Sequence, residues 1–82
     1  IMTEMFHKAS AFNQDINNWD TSKVTTLSST FREATSFNQP LSGWNVGNVT
    51  NMLGTFASAS AFNQNINNWD TSKVTNMGST FQ

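Results

Sequence analysis

The side chains that could do chemistry are few and scattered. His7 is the sole histidine, the residue type best suited to proton transfer near neutral pH or to metal ligation. The chain has no cysteine, so no thiolate or second imidazole accompanies it. Asp15, Asp20 and Asp70 supply oxygen donors of the kind calcium takes. Asn13, Asn38 and Asn63 are each followed by glutamine, at Gln14, Gln39 and Gln64. Such amides donate and accept at once, and suit either an internal ladder or a polar binding stripe. Two threonine arrays, Thr25, Thr50, Thr75 and Thr30, Thr55, Thr80, have the regularity that ice binding would require. Asn48-Val49-Thr50 is an N-glycosylation sequon.

Elements that position these residues come from a repeat. A shift of 25 residues aligns the chain without a gap, and fixed-period self-similarity outranks any local signal in assigning a fold. Phe6, Phe31, Phe56 and Phe81 share one column. Phe12, Phe37 and Phe62 share another, as do Trp19, Trp44 and Trp69. Met2, Leu27, Met52 and Met77 align, as do Ile16, Leu41 and Ile66, Val24, Val49 and Val74, and Ala9, Ala34 and Ala59. The first and third copies match closely, AFNQDINNWDTSKVT against AFNQNINNWDTSKVT, and the middle copy reads SFNQPLSGWNVGNVT.

The columns weigh the chemistry. His7 shares a position with Arg32, Ala57 and Gln82, which reads as a tolerant surface site. The aspartate columns also hold Pro40, Asn65 and Asn45, so Asp20 and Asp70 read as turn caps rather than calcium ligands. Asn13, Asn38 and Asn63 follow a core Phe in every copy, which favours an internal ladder. The Gln column stays open between ladder and surface stripe. Asn48 aligns with Lys23 and Lys73 and is expected to be exposed, with its sequon unused. No Ser–His–Asp or paired-carboxylate arrangement repeats. No catalytic, metal-binding or cofactor-binding residue is therefore predicted, and the structural ladders are the Trp19, Phe12, Asn13 and Phe31 columns.

Val24, Leu27, Phe31 and Ala34 are spaced as the apolar stripe of a short helix, with Thr25 as N-cap. The same holds for Val49 to Ala59 and for Val74 to Phe81. Gly54, Gly78, Thr30 and Thr55 lower the propensity, so these helices should be short and partly 3₁₀. Pro40 disfavours helix in the other half of the copy, and a short extended segment is expected around Gln14 to Asn17. Turns are expected at Asp20-Thr21-Ser22 and Asn45-Val46-Gly47.

Charged residues are 11% of the 82 and the net charge is −1, which argues against nucleic acid and polybasic membrane contacts. No apolar run is long enough to span a bilayer. Seven Phe and three Trp separate the chain from disordered polar sequences. One copy cannot bury enough surface to fold alone, so stacking of copies is expected to supply the core.

The pattern VTNMxxxFxxAxxFNQxIxxWDTSK resembles the BspA-like leucine-rich-repeat surface proteins, bacterial repeats of about this length. The resemblance covers the chain and departs from it at Val46, Gly47 and Asn48. It implies a leucine-rich-repeat solenoid with one short strand and one short helical segment per copy, and roles in adhesion and host or matrix contact. Residues 1–82 are expected to form one open-ended solenoid segment without capping repeats, part of a longer array. Its expected function is that of a non-enzymatic extracellular or cell-surface scaffold for adhesion or for building a fibre or matrix. The alternatives are recognition of a protein or glycan partner along one face and, more weakly, ice binding. Expected partners are further repeats or copies of itself end to end, and a host or matrix protein or glycan.

Overall fold

From residue 2 to residue 81, the part of the chain that the computed structural model describes, backbone N–H groups around each Phe31-type column sort into two alternating sets. The N–H groups of Leu27, Ser29, Phe31 and Glu33 donate to the carbonyls of Asn51, Leu53, Thr55 and Ala57, in the next copy. Those of Thr30, Arg32 and Ala34 donate to the carbonyl three residues back, closing β-turns. Met52, Gly54 and Phe56 repeat the first set toward Asn76, Gly78 and Thr80. Each copy is thus a coil of tandem turns, and consecutive coils lie on one another as tiers.

This arrangement excludes the helix that the apolar spacing suggests. An α-helix needs every N–H for its own i−4 carbonyl and a negative φ throughout. Here alternate N–H groups belong to the neighbouring tier. Ser29, Glu33, Gly54, Ser58 and Ser79 take φ of 54–65°. Each stands third in a turn, where a type II turn needs a positive φ. No helix occurs among the described residues. Thr25, Thr50 and Thr75 therefore cap nothing. Instead the Thr50 and Thr75 N–H groups donate to Thr25 and Thr50, beside the parallel bridges Thr26–Asn51 and Asn51–Asn76.

Those single-residue bridges are the only strand-like pairing among the described residues. The extended segment expected at Gln14 to Asn17 forms no strand, because side chains replace main-chain acceptors there. Asn38 N–H donates to the Asn13 side-chain oxygen at 2.8 Å, and Gly43 N–H to that of Asn17 at 2.8 Å. The expected leucine-rich-repeat solenoid, with a strand and a helical segment in each copy, is accordingly corrected. The chain is a compact body of 30 × 26 × 22 Å built from turns.

The core follows from the turns. The first and last residues of a turn converge on one side, and Phe31–Ala34, Ala34–Phe37, Leu41–Trp44 and Val46–Val49 are all such pairs. All seven of these residues are buried, and with Leu27 and Met52 they fill the centre. Phe6, Phe31, Phe56 and Phe81 stack along the tier axis, adjacent rings 5.4 Å apart. Phe12, Phe37 and Phe62 stack beside them at 5.7 and 6.0 Å. Trp19 lies 6.5 Å from Trp44 with rings nearly parallel. The Trp44 and Trp69 indole N–H groups donate to the Ile16 and Leu41 carbonyls of the preceding tier, both at 2.9 Å. Such aromatic contacts add to the area they bury.

Candidate functional site

A second polar row runs inside the body. The hydroxyls of Thr30, Thr55 and Thr80 donate to the carbonyls of Met2, Leu27 and Met52 at 2.7, 2.9 and 3.0 Å. All three threonines are buried. Ice binding thereby loses one of its two arrays. The Thr25, Thr50 and Thr75 row is exposed, with the Thr50 and Thr75 hydroxyls donating to the preceding carbonyl.

The Asn13, Asn38 and Asn63 ladder runs from tier to tier, but on the surface. The Asn38 side-chain oxygen accepts from Asn63 N–H at 2.9 Å, as that of Asn13 does from Asn38. Gln39 and Gln64 lay their amide nitrogens against the Asn13 and Asn38 carbonyls at 3.0 and 3.1 Å. The Asn68 side chain reaches the Ser42 carbonyl at 2.9 Å. Together these amides form an uncharged face along the tier axis. Beside them lies a shallow groove lined by Pro40, Ser42, Gln64, Asn65, Asn67 and Asn68.

The acidic residues do not converge. Asp20 accepts from the Ser22 hydroxyl at 2.7 Å and the Ser22 N–H at 3.1 Å. The hydroxyl bond first, and the amide bond second, hold its carboxyl below the usual value of 3.8. Asp70 is held low in the same way by Ser72. Asp15 accepts from Asn17 N–H at 3.0 Å. No cluster of three or more His, Asp or Glu able to hold a metal occurs among the described residues.

His7 is partly buried. Its Nε2 lies 3.1 Å from a Glu33 carboxylate oxygen and its Nδ1 3.6 Å from one of Glu4. Column reasoning missed this cluster, because Glu33 aligns with Lys8 and Ser58 and Glu4 with Ser29, Gly54 and Ser79, so neither column announces a partner. Asn48 is exposed, yet its amide nitrogen donates to the Ser22 carbonyl at 2.8 Å and its oxygen accepts from Lys73 at 3.3 Å. A glycan there would be attached to the same nitrogen that makes the tier-to-tier bond. No helix among the described residues is long and apolar enough to cross a membrane.

Comparison with curated proteins and with solved structures returned no match. The family model described as Mycoplasma protein of unknown function, DUF285, matches residues 1–82. This finding replaces the resemblance to BspA-like leucine-rich-repeat proteins, and the leucine-rich-repeat description falls with it. The shared FNQ and WDTSK motifs mark turns and tier contacts here, not a strand-and-helix repeat. With its whole length matched, the chain belongs to the Mycoplasma protein family of unknown function, DUF285.

Proposed function

We propose that this chain is a non-catalytic scaffold at the cell surface or outside the cell, used for adhesion or for building a surface fibre or matrix. The observation that carries the reading is the exposed amide face. Asn13, Asn38, Asn63, Gln39 and Gln64 repeat a neutral hydrogen-bonding row at the tier spacing while holding the tiers together. A surface built this way offers many equivalent weak contacts, and multivalent display turns those into firm attachment. The carboxylates support it too, since Asp15, Asp20 and Asp70 are each engaged in local turns. A second reading, recognition of one partner along this face, is favoured by the groove beside Pro40.

Two measurements test the proposal. Antibody against the chain should label intact cells as strongly as lysed ones. Beads coated with the chain should be retained on immobilised matrix proteins or on host cells, or the full-length protein should image as filaments. Labelling confined to lysed cells, or retention equal to that of albumin-coated beads without filaments, would refute it.

A further inference from the structure

The groove of the amide face has a chemistry more specific than polarity. Three of the four amides that line it, those of Gln64, Asn65 and Asn68, are fixed by a bond that uses one end of the group, and the network thereby sets which end is left. Asn65 accepts the Asn67 N–H on its side-chain oxygen at 2.8 Å, so its NH₂ is the end left for a ligand. Gln64 donates its nitrogen to the Asn38 carbonyl and side-chain oxygen at 3.1 and 3.0 Å, which leaves its own oxygen. Asn68 donates its nitrogen to Ser42 and likewise leaves its oxygen. One donor and two acceptors are thus held in place beside the Ser42 hydroxyl and the apolar ring of Pro40, and none of the six lining residues is charged.

Fixed donors and acceptors next to a small apolar surface, with no charge, match one ligand chemistry. A pyranose carries neighbouring hydroxyls that donate and accept together, and a C–H face that can lie on a proline ring. An anion would find no cation among the lining residues, and a cation no carboxylate. We propose that the groove formed by Pro40, Ser42, Gln64, Asn65, Asn67 and Asn68 is a binding subsite for a neutral sugar residue. The inference rests on the partner-recognition reading of the same face. It also predicts one subsite in these residues rather than one per tier. The corresponding place one tier earlier has Asp15 for Pro40 and Pro40 for Asn65, and so lacks the amide donor.

Asn65→Asp is the discriminating variant. Aspartate keeps the oxygen that caps the Asn67 turn, as Asp15 does for Asn17 at 3.0 Å, and replaces the NH₂ donor by a charged oxygen that can only accept. The intact chain is titrated with the methyl glycosides of glucose, galactose and N-acetylglucosamine while its side-chain amide resonances are followed. At least one sugar should shift Asn65 and Asn68 saturably with one-site stoichiometry. The variant should melt like the parent and bind that sugar about three- to tenfold more weakly, the effect of one lost hydrogen bond. No saturable shift with any of the three sugars overturns the proposal, as does equal binding by Asn65→Asp. So does a shift produced by an extended tri-alanine peptide and by none of the sugars. If the sugars fail while chain-coated beads still adhere, the subsite falls and the scaffold reading stands. If the sugars bind and the beads do not adhere, the reverse holds.

Discussion

At the residue scale, the buried threonine column shows how a polar side chain can be structural. The Thr55 hydroxyl lies 2.9 Å from both the Leu27 and the Met52 carbonyl oxygens, out of water, and shares its one proton between them. Thr55→Val should cost about 1 kcal/mol, the loss of one buried hydrogen bond, since the Leu27 and Met52 carbonyls keep the N–H groups of Thr30 and Thr55. Thr50→Val, on an exposed row, should cost about 0.5 kcal/mol or less. Thermal melts of the pair check this, and equal losses would contradict it. Phe56→Ala should cost ~3–5 kcal/mol as a core deletion, and His7→Ala about 0.5–1.5 kcal/mol, for the part-buried hydrogen bond to Glu33. Asp20 and Asp70 give a pH signature. Their carboxyls are held below 3.8 in the folded chain by Ser22 and Ser72. A depressed folded value means that their contribution is present above the unfolded value and lost as pH falls through the folded one. Both are fully exposed, so the effect is local and best read by carboxyl NMR. Ser22→Ala should move Asp20 back up toward 3.8 and leave Asp70 in place.

At the scale of the element, the turn explains both what the sequence made legible and what it concealed. Columns 25 apart were readable because every tier buries the same positions, so Phe31, Phe37 and Trp44 had to recur. The apolar spacing suggests a helix because a positive φ at Ser29 and Glu33, four residues apart, imposes a period close to that of an α-helix. Leu27, Phe31 and Ala34 then face one way in either structure. No apolar pattern separates the two; only the destination of alternate N–H groups does. The amide ladder was readable as a ladder, but its place on the surface was not, since stacking one tier on another needs no burial of Asn38. Far-UV circular dichroism should accordingly lack the helical signal. Gly54→Ala separates the causes further. An added Cβ meets nothing nearer than Ser29 Oγ at 3.5 Å, so the cost should be only that of φ +65°, about 1–2 kcal/mol. At Gly43 the same methyl would stand 2.9 Å from the Asn17 carbonyl and beside the side chain that accepts its N–H. Gly43→Ala should therefore also break a tier contact, and chemical denaturation should rank it the more destabilising of the two.

At the scale of the whole molecule, stability comes from neighbours along one axis. Backbone bonds from Leu27 to Asn51 and from Met52 to Asn76, the phenylalanine stacks and the amide ties all join one tier to the next. Ordinary surface loops absorb added or lost residues with little penalty. This chain has no such slack, because Asn38, Phe37 and Trp44 must all meet their partners in the preceding tier at the same time. A one-residue deletion at exposed Thr35 would displace every later contact of its tier. Loss of residues 27–51 as a block would instead carry Thr26 directly onto Met52, with all columns still aligned. The molecule can therefore change length only in whole steps, as a stack of identical trays does. Genes encoding such chains should vary by complete copies, with intermediate lengths purged as misfolded.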